Sequence, residues 1–246
     1  MKGNNLKTFP TSMSHFDFQQ FRISHDRCAM KVGTDGVLLG AWSPVDGVKR
    51  ILDIGTGSGL IALMLAQRSD AEIVGVELDS AAAQQAAENA QASPFSERIE
   101  IVNCDISDYS ASAPFDLVVS NPPYFEENIT SPNQLRSQAR STQSLPLERL
   151  IDVAYNMLTP NGRFCVVLPT ETAQRFTNAC IVKHFTPLHL TAIQTTPTKS
   201  PKRMLLCFKK SVEHVECTKD TLTLSASDGK RSEEYQKLTD AFYLKR

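Results

Sequence analysis

Apolar residues recur along this chain in two rhythms. Short dense runs give way to stretches where they return every three or four positions. "RILDIGTGSGLIALMLAQ" (50–67) is a short apolar strand, a glycine turn and an apolar helix. "AEIVGVELD" (71–79) is a second strand, and the alanine-rich "SAAAQQAAENAQAS" (80–93) is a helix with Asp79 or Ser80 as its N-cap. "RIEIVNCDI" (98–106) alternates as a strand does, and "FDLVVSN" (115–121) is a continuous apolar run, as expected of a strand covered on both faces. "PLERLIDVAYNMLTPNG" (146–162) has helical spacing and a Pro-Asn-Gly stop; "RFCVVLP" (163–169) is another buried strand, and "TETAQRFTNACIVKHF" (170–185) another helix. "LHLTAIQTT" (188–196) and "KRMLLCFKK" (202–210) form a final strand pair. Seven strands alternating with helices predict an α/β domain, doubly wound around a mostly parallel sheet with helices on both faces. Residues 46–210 form the core, 1–45 an N-terminal extension and 211–246 a C-terminal one. Within the latter, "SEEYQKLTDAFYL" (232–244) has helical spacing suited to docking on the side of the sheet.

The 246 residues suit one such domain, and 41% hydrophobic with 22% charged residues is a globular composition. No run approaches the roughly 18 apolar residues of a membrane helix, and the first residues lack the apolar stretch of a secretory signal. The six cysteines are scattered, with no Cys-x-x-Cys and no ligand-like pairing with histidine. Reduced thiols in a cytoplasmic protein are expected, and no metal site. The net charge of −1 hides a division: residues 50–120 carry 3 basic and 11 acidic side chains, residues 121–210 carry 11 basic and 5 acidic. A basic half can face a polyanion, although patchy surfaces also arise without function.

The chemistry concentrates at strand ends. "DIGTGSG" places Asp53, Gly55, Gly57 and Gly59 where the first core strand stops. Glycines there allow a tight turn and close approach of a ligand to the backbone. The spacing is G-x-G-x-G, not the dinucleotide G-x-G-x-x-G, and no phosphate-binding loop follows. Glu77 ends the second core strand, where a carboxylate can accept hydrogen bonds from both ribose hydroxyls of an adenosine. Asp105, followed by Ile106, ends the third, where it can accept from an adenine amine or simply cap the next turn. Together these describe a pocket for adenosine carrying a non-phosphate tail, which S-adenosylmethionine fits.

"NPPY" (121–124) ends the fourth core strand. Pro122 and Pro123 cannot continue a strand, because they lack donors and fix φ. The Pro122 carbonyl stays free, with the Asn121 side-chain carbonyl beside it. Two adjacent acceptors match the two hydrogens of one exocyclic NH₂ group, and Tyr124 can stack on the flat ring that carries it. A conjugated amine is a poor nucleophile; two acceptors drawing on its hydrogens favour a pyramidal nitrogen whose lone pair can attack a sulfonium methyl. Positioning and electrostatics then do most of the catalysis.

"DIGTGSG", "VELD", "NCDI" and "NPPY" occur in the order found in class I S-adenosylmethionine-dependent methyltransferases that modify amino nitrogens. "FRISHDRCAMKVGTDGVLLGAW" (21–42), "RSQAR" (136–140) and "AFYL" (241–244) narrow the resemblance to the bacterial tRNA1(Val) adenine-37 N6-methyltransferase family. The resemblance covers roughly Phe16 to Leu244. It implies the class I sheet with its final strand antiparallel, S-adenosylmethionine as cofactor, and adenosine 37 in the tRNA anticodon loop as target. It also implies that Lys31, Thr34 and Asp35 lie over the methionine end of the cofactor, and that Asn121 borders both cofactor and substrate. From the residues alone, Gly33–Gly36 equally well starts a helix with Thr34 as N-cap. Arg136, Arg140, Lys199, Lys202 and Arg203 are candidates for phosphate contacts, each also readable as a solvated surface charge. Competing readings are a protein glutamine-N5 methyltransferase, whose target amide is likewise conjugated, a DNA adenine methyltransferase, and a non-catalytic RNA-binding module that keeps a cofactor pocket.

Overall fold

The computed structural model describes residues 15–123, 145–211, 213 and 215–245. A short antiparallel hairpin, β1 (His15–Asp17) and β2 (Arg22–Ser24), comes first. There follow α1 (Thr34–Trp42), β3 (Arg50–Ile54), α2 (Leu60–Arg68), β4 (Glu72–Glu77), α3 (Ser80–Gln91), β5 (Ile99–Asn103) and β6 (Phe115–Ser120). Then come α4 (Leu147–Met157), β7 (Leu158–Pro169), α5 (Thr170–Val182), β8 (Phe185–Gln194), β9 (Arg203–Lys210), β10 (Thr218–Thr223) and α6 (Glu233–Thr239).

The large sheet runs β10-β8-β9-β7-β6-β3-β4-β5. Its strands are parallel except β9, which is antiparallel to both β7 and β8. All seven expected strands are present, and β10 adds an eighth at the edge beside β8. Its sequence, Thr-Lys-Asp-Thr-Leu-Thr, buries only Leu222 and shows no apolar alternation, so nothing in its pattern announces a strand.

Alternation along each central strand sorts side chains to two faces. Leu52, Ile54, Val118, Phe164, Val166, Leu206 and Phe208 pack with Leu150, Ile151 and Ala154 of α4 and Phe176 and Cys180 of α5. Ile51, Leu117, Val119, Cys165, Val167, Leu205 and Cys207 pack with Leu38 and Leu39 of α1 and Ile61, Ala62 and Leu65 of α2. A strand that feeds both clusters must be apolar on both faces, which is why 115–120 and 163–169 read as unbroken runs. Gly40 lets α1 lie tightly on α2: a Cβ there would stand 2.8 Å from Met64 Sδ.

Two helices end before the sequence suggests. The 146–162 pattern gives a helix only to Met157, because Pro160 drives Thr159 out of the helical region. Pro160–Gly162 instead bulges within β7, with Asn161 at φ 66°, and the pairing jumps from Phe115–Leu158 to Leu117–Arg163. α5 stops at Val182, and His184 turns the chain at φ 65° as its N–H donates to Ile181 O.

The described parts of the N- and C-terminal extensions are stitched together. Gln19 N donates to Phe242 O at 2.8 Å, Phe18 bridges Tyr243, and Gln67 Nε2 donates to Ala241 O at 2.7 Å. Phe18, Phe21, Ile23 and Phe242 share a buried cluster with Val37 and Ala41 of α1 and Leu60, Leu63 and Met64 of α2. No helix among the described residues is long and apolar enough to cross a membrane.

Candidate active site

The chain passes from β3 outward through β4 to β5, then returns to lay β6 on the other side of β3. That reversal opens a crevice at the carboxyl ends of β3 and β6, the place where open α/β sheets bind ligands. The glycine turn rises from β3 and Asn121-Pro122-Pro123 from β6, so both motifs meet this crevice.

Gly55, Gly57 and Gly59 adopt φ of 70°, 57° and 80°, a region costly for any residue with a Cβ. A Cβ on Gly55 or Gly57 would meet nothing within 4 Å, so these backbones face open space and a ligand can lie close against them. Gly55 N and Thr56 N donate to Val76 O at 2.9 and 3.1 Å, fastening the turn to β4. Glu77 fastens it again: Oε2 accepts from Gly57 N at 2.9 Å and Oε1 from Asp79 N at 3.0 Å. Asp79 is the N-cap of α3, accepting from Ala82 N.

Asp53 is fully buried beneath the turn. Thr56 Oγ1 donates to its Oδ2 at 2.6 Å, while Oδ1 has no hydrogen-bond partner. Burial raises its pKa to about 7, only partly offset by hydrogen bonds from the Thr56 hydroxyl and the Ala62 backbone N–H. Asn121 Oδ1 is likewise buried without a partner, at the mouth of the crevice. Buried polar atoms are almost always paired. The Asn121 oxygen at the end of β6 therefore fits a polar group that the protein itself does not supply.

Asp105 is exposed and accepts from Ser107 N at 2.8 Å, so it does close the short turn after β5; Ile106 behind it is buried. Lys31 and Thr34 are exposed near the start of α1. The cap of that helix is Gly33, without a side-chain bond, and not Thr34. Arg203 Nε donates to Asp35 Oδ2 at 3.0 Å, and Nη1 to Lys202 O at 3.0 Å. The pair joins α1 to β9, so this arginine is engaged by protein rather than extended as a free surface cation. Lys199 and Lys202 are exposed in the segment between β8 and β9. Tyr124, Arg136 and Arg140 lie outside the described residues.

Sequence reasoning missed the clasp that joins the N-terminal extension to the turn. Asn89, 5% exposed, accepts from Ser24 N at 3.0 Å and donates to Ser24 O at 2.9 Å and Ser58 O at 2.8 Å. One turn earlier on α3, buried Gln85 accepts from Arg27 N and Cys28 Sγ and donates to Asp26 Oδ1 at 2.6 Å. Cys28, partly buried and facing the Glu77 and Asp79 carboxylates, has its pKa raised to about 11 by burial first and by those charges second. The signal was present: Gln85 and Asn89 are spaced i, i+4 on the face that also buries Ala82, Ala86 and Ala90.

Residues 33–196 match the family model described as Methyltransferase small domain. The tRNA1(Val) (adenine(37)-N6)-methyltransferase of Bacteroides thetaiotaomicron is 48% identical over 231 residues, 93% of this chain and 97% of that protein. The chain belongs to the tRNA1(Val) (adenine(37)-N6)-methyltransferase family. An Enterobacter member of this family is 48% identical over 234 residues, covering 93% of this chain and 94% of its own length. The crystal structure of a predicted O-methyltransferase from Agrobacterium tumefaciens superposes with a TM-score of 0.68 at 22% identity, over 85% of this chain and 96% of that one. At that identity the likeness establishes the shared fold.

Proposed function

We propose that this chain methylates the exocyclic N6 amine of adenosine 37 in tRNA1(Val), using S-adenosylmethionine. The observation that carries this reading is Asn121 Oδ1, buried and unpaired at the end of β6 beside the switch point of the sheet. Family membership supplies the substrate: relatives that align over nearly their whole length are named for this reaction.

The residues present fit the cofactor. The open positive-φ glycines can approach its body, Glu77 stands where ribose hydroxyls would donate, and Asp105 with Ile106 borders the adenine side. In this reading Lys31, Thr34 and Asp35 border the methionine end. When bound, S-adenosylmethionine supplies an electrophilic methyl group on a positively charged sulfur.

The protein's own contribution is positional. Asn121 Oδ1 and the Pro122 carbonyl accept the two N6 hydrogens, turning the nitrogen lone pair toward the methyl carbon. With the methyl group supplied by the bound cofactor, the methylated N6 would release one proton to water. Tyr124 stacks on the adenine. The target base must leave its stack to reach a strand-end crevice, which costs less in a loop than in a duplex, so the anticodon loop is the docking element. The test is to supply labelled S-adenosylmethionine with tRNA, an isolated anticodon stem-loop, duplex DNA and protein acceptors. Label in N6-methyladenosine of tRNA supports the reading; label in protein glutamine overturns it.

A further inference from the structure

Charge is divided along the crevice edge of the sheet. Because the strands are parallel apart from β9, the carboxyl ends of β5, β4, β3, β6, β7, β8 and β10 share that edge with the amino end of β9. At the β4–β5 end stand Glu77, Asp79 and Asp105. At the other end two connections rise side by side. Segment 195–202 joins β8 to β9 and carries Lys199 and Lys202 and no acid, with Arg203 beyond them paired to Asp35; segment 224–232 follows β10 and carries Lys230, Arg231 and Asp228.

These segments are knitted into one body. Leu224 N donates to Gln194 O and Ser225 N to Thr195 O, both at 2.9 Å. Ala226 N donates to Lys230 O at 2.8 Å and Ser225 pairs with Arg231, folding 225–231 into a tight hairpin. Lys202 N donates to Ile193 O and Lys199 N to Thr196 O, so the first segment is braced as well. Lys199, Lys202, Lys230 and Arg231 are exposed. Arg231 lies over the Tyr243 ring at 4.1 Å, and Lys230 Nζ stands 3.5 Å from Asp228 in a pair too exposed to neutralise it strongly. Exposed Glu171 at the start of α5, and Glu233 and Glu234 at the start of α6, border the basic area.

We propose that 195–203 and 224–231 form a single basic platform for the tRNA backbone, with the C-terminal extension supplying its outer half. The proposal rests on the tRNA reading above. Strand spacing of about 4.8 Å puts β8 roughly 14 Å and β10 roughly 19 Å from Asn121 along the edge, so the platform meets phosphates several nucleotides from the base held there. The acidic half repels the same backbone and leaves it one direction in which to lie.

The test compares wild type with Lys199→Glu, Lys230→Glu and Lys230→Arg. Affinity for tRNA is read by fluorescence anisotropy from 50 to 300 mM salt, methylation kinetics are measured in parallel, and cofactor affinity is read by calorimetry. Counter-ion release makes one phosphate contact worth about tenfold at 50 mM salt. Each reversal is expected to weaken tRNA binding by about that factor or more and to raise KM rather than lower kcat. The salt slope should become shallower by about 0.7–0.9, with cofactor affinity unchanged. Lys230→Arg is expected to behave as wild type. If wild type methylates tRNA while both reversals leave affinity and slope intact, the platform is wrong and the function stands. If wild type neither binds nor methylates tRNA, both fall.

Discussion

Removing the Asn89 side chain should loosen the protein and its glycine turn together. Asn89→Ala deletes three hydrogen bonds at 3.0, 2.9 and 2.8 Å, to Ser24 N, Ser24 O and Ser58 O. The Ser58 carbonyl is buried and becomes an unpaired acceptor, costing about 1–3 kcal/mol. The Ser24 groups are partly exposed and recover water, so each forfeits only a net bond, about 0.5–1.5 kcal/mol. The expected loss is about 2–6 kcal/mol, which for a chain of this length lowers Tm by roughly 4–24 °C. Urea denaturation gives the stability, and hydrogen exchange at the amides of Ser24 and Gly59 gives the location. Because Ser58 sits between Gly57 and Gly59, affinity for S-adenosylmethionine should fall in the same variant, measured by calorimetry well below its Tm. A variant within 0.5 kcal/mol of wild type, with unchanged exchange at Ser24, would refute the clasp.

The buried acid gives a pH signature. The Asp53 pKa lies at about 7 in the folded chain against an ordinary 3.8, so the folded state holds its proton more tightly than the unfolded state. Its contribution makes stability fall as pH rises from about 4 through about 7 and then level off, by up to about 4 kcal/mol. Asp53→Asn should flatten that part of the profile, and an unchanged profile in urea titrations would contradict the assignment. Glu77→Ala removes the carboxylate that ties Gly57 and Asp79; cofactor affinity should weaken by about 1.5–3 kcal/mol for each charge-assisted bond lost, read by calorimetry. Asn121→Ala should retain cofactor binding while nearly abolishing single-turnover methyl transfer, and a normal rate would dismiss the two-acceptor account.

The doubly wound core was legible because strands buried on both faces must be apolar throughout and the intervening helices keep their own period. The glycine turn, Glu77 and Asn121 were legible for a related reason: sharp turns and strand-stopping prolines leave compositional marks. Other features depend on partners far away in sequence. β10 is an edge strand of threonines that becomes a strand only by pairing with β8. Pro160-Asn161-Gly162 looked like a helix stop yet forms a bulge, since the β6 pairing demands an extended chain from Leu158 onward. Arg203 looked like a surface cation, but Asp35, 168 positions earlier, claims its guanidinium. The Asn89 clasp is marked only in part: Gln85 and Asn89 share the buried alanine face of α3, but the segment that covers them lies 58 to 65 positions earlier and leaves no trace in the helix.

If the orphaned Asn121 oxygen holds the N6 amine of a tRNA adenosine, methyl transfer to that amine must depend on it. The most direct measurement incubates the protein with labelled S-adenosylmethionine and tRNA from cells lacking this enzyme, then locates label by nucleoside and fragment mass analysis. Label in a single N6-methyladenosine at position 37 of tRNA1(Val), absent with Asn121→Ala, is the expected result. Label that appears on another atom or another acceptor, or that persists without the Asn121 side chain, would contradict the account.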